Sequence, residues 1–202
     1  ASIGVRHEIV EVELSDIDIF TENPPDRCYH CKKALFKRII AVAEALGSEV
    51  VMDATNLDDV ADYRPGMKAL YELEIQSPLR EAGLTKKDIR ELSRELGYPG
   101  WERPAAACLA SRIPFGEEIT EEKLDRVDRA EEYLRSEGFF GNRVRCHGDL
   151  ARIEVPEAMI GRLATPEMRR RVSERFRILG FRFVTIDAEG YRMGSLNESL
   201  DI

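Results

Sequence analysis

The run Asp53-Ala54-Thr55-Asn56-Leu57-Asp58-Asp59-Val60-Ala61-Asp62-Tyr63-Arg64-Pro65-Gly66 is too polar for a core, and it directly follows Glu49-Val50-Val51-Met52, whose composition predicts a short buried strand. Four acids and one arginine in such a loop suit a metal-bound polyphosphate. Oxygen ligands hold magnesium, and a guanidinium neutralises phosphate. In open α/β sheets ligands gather beyond the carboxyl ends of the strands, where this loop would stand. The same composition also fits a solvated turn punctuated by Pro65-Gly66.

Cysteines supply the second chemistry. Cys28 and Cys31 are two residues apart, so both thiolates can meet one iron or zinc, and Lys32, Lys33 and the start of a helix lower the cost of thiolate charge. Cys108 lies far downstream. Three cysteines from two segments match a cluster or metal site without a fourth protein ligand, against a free reactive dithiol or inert cysteines. Zinc is the rival metal and His30 the nearest spare nitrogen, although a residue between the two cysteines would point away from a metal they share. Cys146 differs, because it alternates with Arg143 and Arg145 in a predicted strand and shares a face with Val144, which suits burial. Arg143 and Arg145 then project together from the opposite face, either as a phosphate clamp or as a solvated strand face.

In order and spacing, several motifs resemble the LarE family of adenylating sulfur transferases, within the PP-loop ATP pyrophosphatase superfamily. They are the loop from Asn56 to Gly66, Asp26-Arg27-Cys28-Tyr29-His30-Cys31-Lys32-Lys33, Ala107-Cys108-Leu109-Ala110-Ser111-Arg112-Ile113-Pro114, and Arg143-Val144-Arg145 through Arg152-Ile153-Glu154-Val155-Pro156. Together they cover nearly all of the chain. The resemblance implies an α/β protein, with a parallel-sheet PP-loop (HUP-like) nucleotide domain over residues 1–106 and a small α+β substrate and sulfur-transfer domain over residues 107–202. The family's glycine-rich Ser-Gly-Gly-x-Asp-Ser loop is not in the sequence, which starts on Ala1, so the nucleotide domain reads as incomplete at its amino end.

By the same resemblance the activity is ATP-dependent. A carboxylate of a pyridinium dicarboxylate mononucleotide is adenylated with release of pyrophosphate and converted to a thiocarboxylate, toward the nickel-pincer cofactor of lactate racemase. Asp53, Asn56, Asp59, Asp62 and Arg64 would serve ATP and Mg2+; Arg112, Glu131, Arg143 and Arg145 would serve the substrate, although a lone glutamate such as Glu131 is more often at a surface. The family has two forms, one sacrificing a cysteine sulfur and leaving dehydroalanine, the other holding a 4Fe-4S cluster on three cysteines. Cys28, Cys31 and Cys108 match the cluster form, with Ala107 aligned to the sacrificial position; a slip of one residue would instead make Cys108 the donor.

The elements that must position these groups are readable in outline. Residues 7–14 alternate as a strand does. A loop through Asn23-Pro24-Pro25 then delivers the cysteine pair, and from Lys32 a helix carries Leu35, Phe36, Ile39, Ile40, Ala43 and Leu46 inward until Gly47 stops it. Strand, helix and strand predict a parallel sheet. A second helix, opened by Thr85 and closed by Gly97, buries Ile89, Leu92 and Leu96. Proline and alanine punctuation marks a boundary over residues 103–115. Beyond it Thr120 caps a helix with Leu124, Val127 and Leu134 inward, two strands follow across residues 143–155, Pro166 opens a helix burying Met168, Val172 and Phe176, and a last strand spans residues 181–186.

With 202 residues, 43% of them hydrophobic, the chain can fill one large or two small cores. A formal charge of -8 argues against coating nucleic acid, and the arginine cluster Arg169, Arg170, Arg171, Arg175 and Arg177 fits a solvated helix face. No apolar run of about 18 residues or signal peptide is visible, so the expected location is the cytoplasm, where a Cys-x-x-Cys pair is a ligand or reactive site rather than a disulfide. The expected partners are the mononucleotide and a sulfide donor, without membrane or nucleic acid and with self-association left open. Two other readings compete: a PP-loop tRNA thiolase, and a non-enzymatic module stapled by zinc.

Overall fold

The computed structural model describes residues 4–13, 16–17, 19–61, 65–102 and 107–192. They form two compact units, Ala1–Arg103 and Pro104–Ile202.

In the first unit Asn23-Pro24-Pro25 turns the chain, with Asn23 at φ 57°, and helix α1 then runs over Arg27–Ala45 until Gly47, at φ 75°, closes it. The helix begins five residues earlier than its apolar stripe predicts. Arg27 is the reason: it is buried and donates to the fully buried Asn23, which anchors the first turn. Cys28 and Cys31 therefore stand three apart on the opening turns of α1, not on the preceding loop. The expected inward stripe is only half-buried, and Leu46 is exposed.

Helix α2, Gly66–Glu72, packs against α1. Gly66 makes this approach possible, since a Cβ there would lie 3.2 Å from the Cys28 carbonyl oxygen and 2.9 Å from Lys32 Cδ. Pro65-Gly66 is thus the start of a helix rather than a bare turn. Helix α3 spans Pro78–Glu81, and α4 spans Lys86–Glu95 behind a capping box in which Thr85 and Asp88 satisfy each other's backbone N–H. Leu92 and Leu96, expected inside, are exposed, Leu96 at 66%.

Two strands expected in this unit do not form. Residues 7–13 carry no ladder, with Ile9 exposed, and Leu14 lies outside the described residues. The stretch before Asp53 is extended but makes one parallel bridge, Met52 to Gln76, leaving Val50 43% and Met52 57% exposed. A strand paired on one side through one bridge neither builds a sheet nor buries its side chains. The bridge joins a different pair from the one expected: the parallel pairing of residues 7–14 with residues 49–52 is not seen among the described residues, and Met52 meets Gln76 instead.

The second unit follows its sequence pattern closely. Helix α5, Glu121–Ser136, is capped by Thr120, whose hydroxyl accepts from Lys123 N at 3.2 Å. Strands β1, Arg143–His147, and β2, Leu150–Glu154, form an antiparallel hairpin turned by Gly148-Asp149. Two helices follow, α6 over Glu157–Leu163, which the periodicity did not reveal, and α7 over Pro166–Ile178. They return the chain to β3, Phe183–Ile186, parallel to β2 in a mixed sheet ordered β1-β2-β3. One sheet face supplies Val144, Cys146, Ala151 and Ile153 to the core, with Val127, Ala130 and Leu134 of α5 and Val172 and Phe176 of α7. No helix among the described residues is long and apolar enough to cross a membrane.

Candidate active site

In the first unit the start of α1 and the loop after Met52 meet. Cys28 is exposed and Cys31 half-buried, and neither is in a disulfide. His30 Nε2 pairs with Asp26 Oδ2 one turn back, at 3.2 Å. Lys32 Nζ stands 4.0 Å from Asp53 Oδ2, bringing the cysteine helix to the acidic loop. Lys33 donates to Glu72 and to the Tyr29 hydroxyl, both at 2.6 Å, which ties α1 to α2.

Asp53 is fixed in place. Its carboxylate accepts from Ser77 Oγ at 2.7 Å, from Thr55 N at 3.2 Å and from the Thr55 hydroxyl. Burial alone would push its pKa up, but these hydrogen bonds and Lys32 outweigh burial and hold it below the usual carboxylate value. Asp58 and Asp59 organise backbone. Asp59 accepts from Asn56 N at 3.1 Å, Asn56 Oδ1 from Asp58 N at 3.1 Å, and Asp58 from Lys86 N at 2.8 Å, at the start of α4. Asp62 and Arg64 lie outside the described residues.

In the second unit Cys108 is exposed and opens a 3-10 turn, Leu109–Arg112. Its carbonyl accepts from Ser111 Oγ at 2.6 Å and from Arg112 Nη1 at 3.2 Å. Arg112, 3% exposed, sets its fork on Glu131 at 2.7 and 3.2 Å. Glu131 is therefore not a surface residue: it is 2% exposed, and it also accepts from Val144 N at 3.0 Å. The guanidinium and the strand amide together make burial of this carboxylate tolerable.

Arg143 and Arg145 do leave β1 on the face opposite Val144 and Cys146. Arg145 is buried there, its fork on Glu154 at 3.0 and 2.7 Å and its Nη1 donating to Ser111 O at 2.9 Å. Arg143 donates to Asn142 O at 2.7 Å and stacks 5.1 Å from the Tyr191 ring. Ser111 thus stands between Arg112, whose Nη1 donates to its hydroxyl at 2.7 Å, and Arg145. Arg152 and Glu154 stand in one of the motifs that carry the resemblance, without a role of their own, although alternation along β2 puts both on the Arg145 face.

Cys146 is buried, as its alternation predicts. Arg126 Nη2 donates to its sulfur at 3.1 Å, yet burial pushes the thiol pKa up. Beyond it, burial holds the His147 imidazole below the ordinary histidine value; Arg152 and Arg145 act in the same direction, while Glu117 and Glu154 oppose them. Among the described residues no three His, Cys, Asp or Glu side chains are gathered as a metal site. The expected cysteine set is divided, with two members in the first unit and Cys108 in the second.

Fold and site define a mixed α/β protein with a helix-borne cysteine pair beside an acidic loop, and a sheet whose polar face carries arginine-carboxylate pairs. No protein-family model matches the chain. It is 43% identical over 187 residues, 93% of its length and 67% of the relative's, to the pyridinium-3,5-bisthiocarboxylic acid mononucleotide synthase of Lactiplantibacillus plantarum. It is also 44% identical over 198 residues to an uncharacterised protein of Synechocystis sp., spanning 98% of this chain and 74% of that one. An uncharacterised protein of Methanocaldococcus jannaschii is 34% identical over 192 residues, 95% and 74% of the two chains. The chain belongs to the family of that synthase, the LarE family.

Proposed function

We infer that the protein is an ATP-dependent sulfur transferase acting on a pyridinium dicarboxylate mononucleotide, in the assembly of the nickel-pincer cofactor of lactate racemase. Its similarity to the named synthase carries this reading. Chemically, a substrate carboxylate oxygen attacks the α-phosphorus of ATP and pyrophosphate leaves. A sulfide nucleophile then displaces AMP from the acyl carbon, giving the thiocarboxylate. Adenylation supplies the leaving group that a carboxylate lacks.

The first unit is read as a PP-loop nucleotide domain. Asp53, oriented by Thr55 and Ser77 and kept ionised, would serve the metal and phosphates, with Asn56, Asp59, Asp62 and Arg64 completing the nucleotide side. The second unit holds the substrate. Glu131 and Glu154 fix the planes of Arg112 and Arg145, so the guanidinium groups near the substrate phosphate lose little freedom on binding.

The donor set suits an iron-sulfur cluster. Cys28 and Cys108 are exposed and Cys31 is half-buried, Cys28 and Cys31 standing one turn apart on the same helix, while Cys146 is buried. A 4Fe-4S cluster bound by three thiolates supplies one iron without a protein ligand, at which sulfur can be carried.

The test is anaerobic purification with iron, sulfide and zinc analysis, followed by substrate-dependent pyrophosphate release from ATP. Iron with matching sulfide, lost on Cys28→Ser, Cys31→Ser or Cys108→Ser and kept on Cys146→Ser, is the expected result. Zinc without pyrophosphate release would replace this reading with a stapled binding module.

A further inference from the structure

The strand register lays the polar face of the three-stranded sheet out as rows. Arg145 is the direct cross-strand partner of Arg152, which pairs in turn with Thr185; on one side lies Arg143 with Glu154, on the other His147, Leu150 and Phe183. Rows are about 6.6 Å apart along a strand. The middle row is unusual, because like charges directly opposite on neighbouring strands repel. Buried Glu154 holds the two together, touching Arg145 Nη2 at 2.7 Å and Arg152 Nη2 at 3.3 Å. Arg152 Nη1 is tied to Asp187 at 3.0 Å.

Two further facts distinguish Arg152 from Arg145. The Nε of Arg152 is enclosed without a hydrogen-bond partner, as is Nε2 of His147 one row away. An N–H in that condition lacks an acceptor that a ligand oxygen could supply. Arg145 lies inside, covered by the turn at Ser111, whereas Arg152 is partly exposed beside Thr185 and Phe183, themselves exposed. An anion approaching from the β3 side meets Arg152 before Arg145.

We propose that Arg152 is a phosphate ligand of the substrate site, exchanging Asp187 for a phosphate oxygen and clasping the anion against Arg145 across the strand pair. This rests on the reading of the sheet as the site of the substrate phosphate. Asp187 then acts as a stand-in that keeps the guanidinium satisfied when no substrate is present. Glu154 stays in place throughout and keeps the two forks side by side.

The test uses inorganic phosphate and the isotopically labelled full chain, reading the amides of β2 and the ring of His147 by NMR alongside unfolding in urea. Arg152→Gln should weaken phosphate binding roughly ten- to a hundredfold, the loss of one charge-assisted contact. Asp187→Asn, which frees the fork, should bind phosphate at least as tightly as the unaltered chain. A mere staple between β2 and Asp187 predicts the contrary, that both variants lose similar stability and neither changes phosphate affinity. Unaltered binding in Arg152→Gln, or weakened binding in Asp187→Asn, overturns the proposal. Arg152→Lys, which keeps the charge and loses the fork, should fall between the extremes and guards against an unfolded glutamine variant. If binding depends on Arg145 and not on Arg152, the anion site stands and this assignment falls. If the unaltered chain binds no phosphate, both fall.

Discussion

At the scale of single residues, environment separates groups that are chemically alike. Cys28 and Cys108 are exposed thiols, whereas Cys146 is sealed among Val144, Ala151 and Ile153, with a raised pKa. Iodoacetamide under native conditions should label Cys28 and Cys108 within minutes and Cys146 only after denaturation; mass spectrometry of the digest reads the pattern, and native labelling of Cys146 would refute its burial. His147 gives a pH dependence of definite sign. Its pKa is held down in the folded protein by burial, then by Arg152 and Arg145, against the pull of Glu117 and Glu154, so the folded state resists protonation. The contribution of the neutral ring is complete above the ordinary histidine pKa and is lost as pH falls through that value toward the lower folded one. His147→Gln should therefore flatten the decline of the urea midpoint between neutral and mildly acid pH, and an unchanged slope would exclude His147 as its source.

Among the elements, α2 comes close to α1 at Gly66. Gly66→Ala has no unfavourable φ to overcome, but its methyl meets the backbone carbonyl of Cys28. The expected cost is about 1–3 kcal/mol, as for other overpacked contacts, with the accessibility of Cys28 changed as the helices part. Thermal unfolding and alkylation kinetics together would reveal it, and a variant identical in both would show that the helices give way freely. Elements that the sequence made legible are those whose partners lie nearby in the chain. Thr120, Pro166 and the alternation through Arg143 and Ile153 each announce an element that closes on its neighbour. The strands expected at residues 7–14 and 49–52 have the right pattern, but a ladder needs a partner strand, and pattern alone does not supply one. The site was legible as residue types and not as pairings. Glu131 looked like surface because its partner, Arg112, sits 19 residues back on a turn with no helical period.

Over the whole molecule the two units differ in how completely they bury themselves. The second encloses Phe139, Phe176, Phe181, Ile113, Ile119 and Leu134 almost fully, while in the first Val50, Met52, Leu92 and Leu96 are uncovered. Hydrogen exchange should show this directly, with amides of β1, β2 and α5 protected far longer than those of α4 and the first unit's extended segments. Equal protection across both units would mean that the exposed residues of the first are covered in solution.

Extended backbone held on one side only is a template. At Val51 and Met52, Gln76 occupies one edge, and on the other no ladder partner stands among the described residues. Any chain that brings a free strand, including a second copy of this one, can add to that edge, and the exposed side chains of Val50 and Met52 would reward the addition. Handling of the protein should therefore be limited by concentration before it is limited by temperature. Val50→Lys, which places a charge beside the edge without touching either site, should raise the concentration at which light scattering begins.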